Sequence, residues 1–173
     1  SHILSDGLEL NQAFQAAMAL LSERLRIQRA TLVLWDRATD QLRIAAAVGL
    51  TAAEQQRGTY APGEGVTGRV LSTGQPAVIP DVSKHPDFLN RTGARSLSSD
   101  QPADAPLAFI CIPIKDGDEY AGALSIDKHI DSPEQLNADA RLITILAGLF
   151  SQSIRIHNLA QLDRKSTRLN SSH

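Results

Sequence analysis

The chain has 173 residues, 42% hydrophobic and 21% charged, with a formal net charge of −2. That length suits one packed domain, and so slight a charge excludes a global pull toward nucleic acid or an anionic membrane. The single cysteine, Cys111, excludes an internal disulfide and a thiolate zinc cage. No apolar run approaches the ~20 residues that span a bilayer and no secretory segment opens the chain, so a cytoplasmic location is expected.

From Leu8 to Leu25 the residues Leu10, Phe14, Ala17, Leu21 and Leu25 recur at helical steps, which predicts an amphipathic helix. Ala30 to Trp35 is apolar and β-branched and predicts a strand. After a turn at Arg37 to Asp40, the stretch Gln41 to Val48 predicts the returning strand of a hairpin. A brief helix is expected around Ala52 to Gln56.

Residues 60–92 carry the densest punctuation. Gly63 and Gly65 permit positive φ and a tight turn. Gly65 to Thr73 predicts a short helix, with Val66 and Val70 one turn apart. Gly74 stands at the expected left-handed C-terminal cap, and Pro76 prevents continuation. Ala77-Val78-Ile79 predicts a short strand closed by Pro80-Asp81. The Gly63-x-Gly65-x-x-Gly68 spacing imitates a dinucleotide fingerprint, and with Val70 it imitates a kinase glycine loop. Context refuses both. Residues 54–59 are polar where a buried strand is required, no strand lysine follows, and the Walker ending Gly-Lys-Ser/Thr is absent.

Ser83 to Asn90 predicts a helical turn or two carrying Phe88 and Leu89. Arg91 to Pro106, RTGARSLSSDQPADAP, is a long loop for a compact domain, which marks it as a candidate functional segment. Leu107 to Lys115 and Glu119 to Lys128 predict a second hairpin around Asp116-Gly117-Asp118. The last helix has a clear start: Ser132 as N-cap, Pro133 at the first position, and Gln135 completing a capping box. Its apolar residues, Leu136, Leu142, Ile145, Leu146, Leu149, Phe150 and Ile156, spread over a face too wide for a sheet alone. The first helix or a twin subunit is expected to cover the rest. The tail from residue 163 to 173 is polar and Ser-rich. It reads as a linker or an appended remnant, as does Ser1-His2.

This order predicts an α+β fold in three layers, α/β/α, with a mainly antiparallel sheet of five to six strands. The N- and C-terminal helices take one face, and the short helices with a pocket take the other. The runs GTYAPGEGVTGRVLSTGQPAVIPDVSKHPDFLNRTGAR, FICIPIKDGDEYAGALSIDK, DARLITILAGLFSQSIR and LSERLRIQRATLVLWD resemble a GAF domain over residues 8–162. More closely, the PDFLNRTG run makes them similar to the N-terminal GAF domain of NifA-type, sigma-54-dependent transcriptional activators of nitrogen fixation. That resemblance implies a regulatory module whose family also carries an ATPase domain and a helix-turn-helix domain. Neither is legible here, so no ATP hydrolysis or DNA contact is expected of this chain.

By resemblance, the effector is a small metabolite such as 2-oxoglutarate, or a PII-type signalling protein, and no cofactor is implied. A dicarboxylate calls for bidentate arginine donors, which Arg91 and Arg95 beside Thr92 supply if they are more than a solvated loop. Gly65, Val66 and Thr67, at the amino end of the short helix, form either an anion site or a plain turn. Tyr60, Phe88 and Phe109 either line a pocket or belong to the core. Asp81 is expected to cap the following turn. His85, His129 and His157 lack metal-ligand spacing, so no metal is expected. A homodimer through the terminal helices is expected. Two alternatives remain beside the sensor: a dimerisation module without a ligand, and a free methionine sulfoxide reductase. The reductase chemistry needs a second cysteine, and no nucleophile–base pair is legible, so no enzyme is expected.

Overall fold

A computed structural model describes residues 2–86 and 106–171. In chain order the elements are α1 (His2–Leu21), β1 (Ile27–Asp36), β2 (Gln41–Val48), α2 (Ala52–Arg57), β3 (Thr59–Tyr60), α3 (Gly65–Thr73) and β4 (Ala77–Ile79). A 3-10 turn (Val82–Lys84), β5 (Leu107–Asp116), β6 (Glu119–His129) and α4 (Pro133–Ser171) follow. The six strands form one sheet, ordered β3-β2-β1-β6-β5-β4, and every pairing is antiparallel. This is the predicted α+β class. An all-antiparallel sheet also disposes of the dinucleotide reading, which requires parallel strands.

Alternation along the strands divides the core in two. Leu32, Ile110, Ile112, Leu124 and Ile126 point to the back, where Phe14 and Met18 of α1 and Ile143, Phe150 and Ile154 of α4 cover them. Val33, Phe109, Cys111 and Ala123 point to the front, under Val66, Val70 and Leu71 of α3. Two residues separate the strands of the second hairpin, with Gly117 at φ 66°, as the Asp-Gly signal requires.

At one end of the sheet α1, β1, β6 and α4 converge. Arg26, at φ 57°, turns the chain out of α1 so that Ile27 pairs with Lys128. The α1 helix therefore runs toward this end and α4 away from it, antiparallel to each other, with the Phe14 and Phe150 rings 6.1 Å apart. Lys128 and Asp139 are both buried here. The ammonium lies 2.7 Å from Asp139 Oδ2 as an ion pair and donates to the His129 carbonyl at 2.9 Å.

Ser132 caps α4 as expected, its Oγ accepting from the Gln135 amide at 3.1 Å. The reciprocal half of the box is absent. The Gln135 side chain instead turns its amide N–H to Asp139, donating to Oδ1 at 2.8 Å in a charge-assisted bond. Several helix boundaries differ from expectation. The first helix begins at His2 rather than Leu8 and stops at Leu21 rather than Leu25, and the polar tail expected from residue 163 is helical as far as Ser171. Residues 163–171 contain no Gly or Pro, and their Arg, Lys and Leu are good helix formers, so polarity alone does not end the helix.

Candidate functional site

The front face of the sheet gathers most of the residues singled out from the sequence. The Gly63–Gly68 turn is built for packing. Gly63 and Gly65 take φ of 80° and 65°. A Cβ at Gly68 would stand 2.9 Å from the Ala61 carbonyl oxygen, so α3 lies directly against the preceding turn. Gly63 N–H donates to the Gly68 carbonyl at 3.1 Å, which closes the turn on itself. Glu64 is the N-cap residue of α3 and its carboxylate accepts from Ala61 N–H at 2.8 Å. A carboxylate at that helix start opposes a bound anion at Gly65 to Thr67.

Tyr60, Val66, Thr67 and Phe109 are all buried in or against the front core. Phe109 pairs across β5 and β6 with Asp127, and Tyr60 pairs with Leu42. Phe88, Arg91, Thr92 and Arg95 lie outside the described residues. Asp81 caps the 3-10 turn, accepting from Ser83 N–H at 3.1 Å and from its hydroxyl at 2.6 Å.

The sheet adds polar groups that the sequence analysis did not select. Thr31, Ser125 and Asp127 are buried, and alternation puts them on the front face. Ser125 stands between Thr31 on β1 and Cys111 on β5. Its hydroxyl donates to Cys111 Sγ at 3.4 Å, and the Thr67 hydroxyl of α3 also reaches that sulfur. One position further on, Asp127 Oδ2 accepts from Arg29 Nη1 at 3.3 Å. A signal for this row existed. Ser125 and Asp127 interrupt an apolar strand at two-residue spacing, which assigns them to one face. At the sheet edge an open groove of 490 Å³ runs between α3 and β4, with Val66, Arg69, Thr73, Val78 and His85 among its lining. Of the predicted site residues described, Val66 alone reaches it. Among the described residues no group of acidic, His and Cys side chains is arranged to hold a metal ion, and no helix is long and apolar enough to cross a membrane.

Cys111 is fully buried, and that burial pushes its thiol up to about 11 from 9.0, against smaller opposing hydrogen bonds from Ser125 and Thr67. A raised thiol favours the neutral form in the folded state. Its contribution to stability is complete below the unfolded value near 9 and is lost as pH rises toward 11. At pH 8 only about one thiol in a thousand is then ionised, and it is sheltered besides. An aromatic disulfide reagent at pH 8 is expected to titrate no thiol in the native chain and one after unfolding in guanidinium. Stoichiometric labelling of the native chain within minutes would contradict the burial.

A family model described as GAF domain matches residues 9–154. The nitrogen fixation protein VnfA of Azotobacter vinelandii is 34% identical over 157 residues, covering 91% of this chain and 30% of that protein. The Nif-specific regulatory protein of Azospirillum brasilense is 34% identical over 167 residues, covering 95% of this chain and 26% of that protein. The chain spans less than a third of the length of these curated relatives. Among solved structures, the A. aeolicus nlh2 GAF domain in an inactive state superposes with a TM-score of 0.69 at 24% identity, covering 89% of this chain and 96% of that one.

Proposed function

The chain belongs to the GAF domain family, and we propose that it is the N-terminal regulatory domain of a NifA-type transcriptional activator, sensing an effector and controlling a downstream ATPase domain. The observation that carries this reading is coverage. The match to VnfA takes in 91% of the chain yet only 30% of that protein, the pattern of one module within a larger regulator. The fold supports it with two layers suited to separate tasks. The front face holds buried polar groups from three elements, Thr31 on β1, Thr67 on α3, and Ser125 and Asp127 on β6, beside Cys111 on β5. The back face holds the helix α4 that leads onward. The buried Cys111 thiol, raised and without a second cysteine, speaks against reductase chemistry.

The effector we assign is a small dicarboxylate, 2-oxoglutarate, held by Arg91 and Arg95 with Thr92, since two guanidinium forks match two carboxylates. Thermal melting against a panel of small acids and nucleotides tests this. At a hundred times its dissociation constant the ligand should add about 2.7 kcal/mol of stability. The shift is expected with 2-oxoglutarate and should vanish in Arg91→Ala and in Arg95→Ala. No shift with any acid at millimolar concentration would remove the metabolite. A PII-type partner or a ligand-free dimerisation module would then remain.

A further inference from the structure

The strand β4 lies at the edge of the sheet. Ala77, Val78 and Ile79 pair with Cys111, Ile110 and Phe109 of β5 on one side. Among the described residues no backbone bond meets the other side. Pro76 and Pro80 bracket the strand, so the open ladder is limited to Ala77–Ile79. The helix α3 overhangs this edge. Val66, Arg69, Val70 and Thr73 share one helical face, and that face lines the 490 Å³ groove together with Ala77, Val78, Ile79 and Pro80. The floor of the groove is apolar, where Val66, Val70 and Ile79 are buried, and its lip is polar, where Arg69, Thr73 and Gln75 are exposed. Arg69 gives it positive charge, and none of the described residues lining it is Asp or Glu. Ala77 and Ile79 face the front core, so alternation puts Val78 on the back of the sheet, where it is 38% exposed.

We infer that this edge docks an extended segment of a partner protein, which adds a short strand beside β4 and presents a carboxylate to Arg69. A strand added there continues the sheet, so its residues point alternately to the two faces. Those in front go beneath α3, where the floor is apolar and Arg69 is positive. Those behind lie beside Val78, whose β-branched side chain suits a cross-strand pair. The backbone ladder supplies attraction, and Arg69 selects an acidic segment. A guanidinium carries several N–H donors, so the contact Arg69 already makes does not preclude a carboxylate. The bracketing prolines keep the added strand short, because they have no N–H to donate. A second copy of the chain is a poorer occupant. Paired about a twofold axis at β4, it brings its own α3 and Arg69 to the front of the same ladder, charge against charge. A small acid is poorer too, because an open groove at a sheet edge leaves much of it in water. The inference does not depend on the effector assigned above.

Amide NMR of the chain, titrated with a capped Thr-Val-Glu-Val-Glu-Val-Thr peptide, tests the docking. Its alternation places both glutamates on one face of a strand. Shifts are expected at residues 77–79 and along α3. The same peptide with both glutamates replaced by lysine should bind at least about tenfold more weakly. Arg69→Glu, at an exposed position, should reverse that preference, with circular dichroism to verify folding. The comparison of the two peptides on the unaltered chain stands even if that variant fails to fold. A third peptide with proline at its centre should not bind, since it cannot complete the ladder. No shift at millimolar peptide overturns the inference, as do shifts confined to residues away from β4 and α3. Equal binding of the two charged peptides to the unaltered chain overturns it as well. Free glutarate that reproduces the shifts would make the groove a small-acid site, and shifts on concentrating the chain alone would make it a contact between copies. Either result removes the partner strand.

Discussion

Asp139→Ala is expected to destabilise the chain by about 3–5 kcal/mol, because it strands a buried charge. The Lys128 ammonium has two partners, the Asp139 carboxylate and the His129 carbonyl, and it lies on the face of β6 that α4 covers. With the carboxylate gone, one neutral carbonyl would have to solvate a cation that water does not reach. Gln135 would lose its acceptor in the same step, freeing the first turns of α4. Denaturant unfolding of the single variant gives the size of the loss. The paired variant Lys128→Met with Asp139→Leu identifies its origin, since an apolar pair of similar volume should recover most of it. If the double variant is as weak as the single one, the loss comes from packing or capping and not from the orphaned charge.

That ion pair also couples the two faces of the sheet. Asp127 and Lys128 are adjacent on β6, so their side chains lie on opposite sides. Asp127 binds Arg29 in front, and Lys128 holds α4 behind. A change in front that shifts β6 along its pairing is therefore one peptide bond from the residue that holds α4. The burial of Lys128 could not be read from the sequence. Asp127-Lys128 ends a strand, where charges are ordinarily solvated, and only the arrival of α4 about ten residues later buries Lys128. By contrast, the α3 cap at Gly74 was legible, with φ of 73° as its sequence signal required. So were both hairpins, because turn chemistry and strand periodicity are local. The two-residue strand β3 escaped notice. Thr59 and Tyr60 carry no periodic signal, and only their pairing with Arg43 and Leu42 defines them. Of the candidate site, the glycine turn was visible as a motif. Its purpose, close packing of Gly68 on Ala61, became clear only once the chain was folded. The excess apolar width of α4 was visible, and dividing it into a buried and an exposed face required knowing which residues the sheet covers.

The second large effect is expected at Phe14. Its side chain is fully buried and meets the Phe150 ring where α1 crosses the middle of α4. Phe14→Ala removes a whole ring from the back core and should cost about 3–5 kcal/mol, the lost transfer energy plus an unfilled cavity. Where that loss appears decides how α1 belongs to the fold. The sheet is closed by β1 pairing with β6, and α1 takes no part in that ladder. Native-state hydrogen exchange on Phe14→Ala is therefore expected to show α1 amides opening well before those of β5 and β6. A conservative Phe14→Leu should restore most of the protection, since it refills much of the space. If Phe14→Ala instead lowers protection equally throughout the sheet, α1 unfolds only with the whole domain. A loss below about 1 kcal/mol would mean that α1 is not docked on α4 as the ring contact requires.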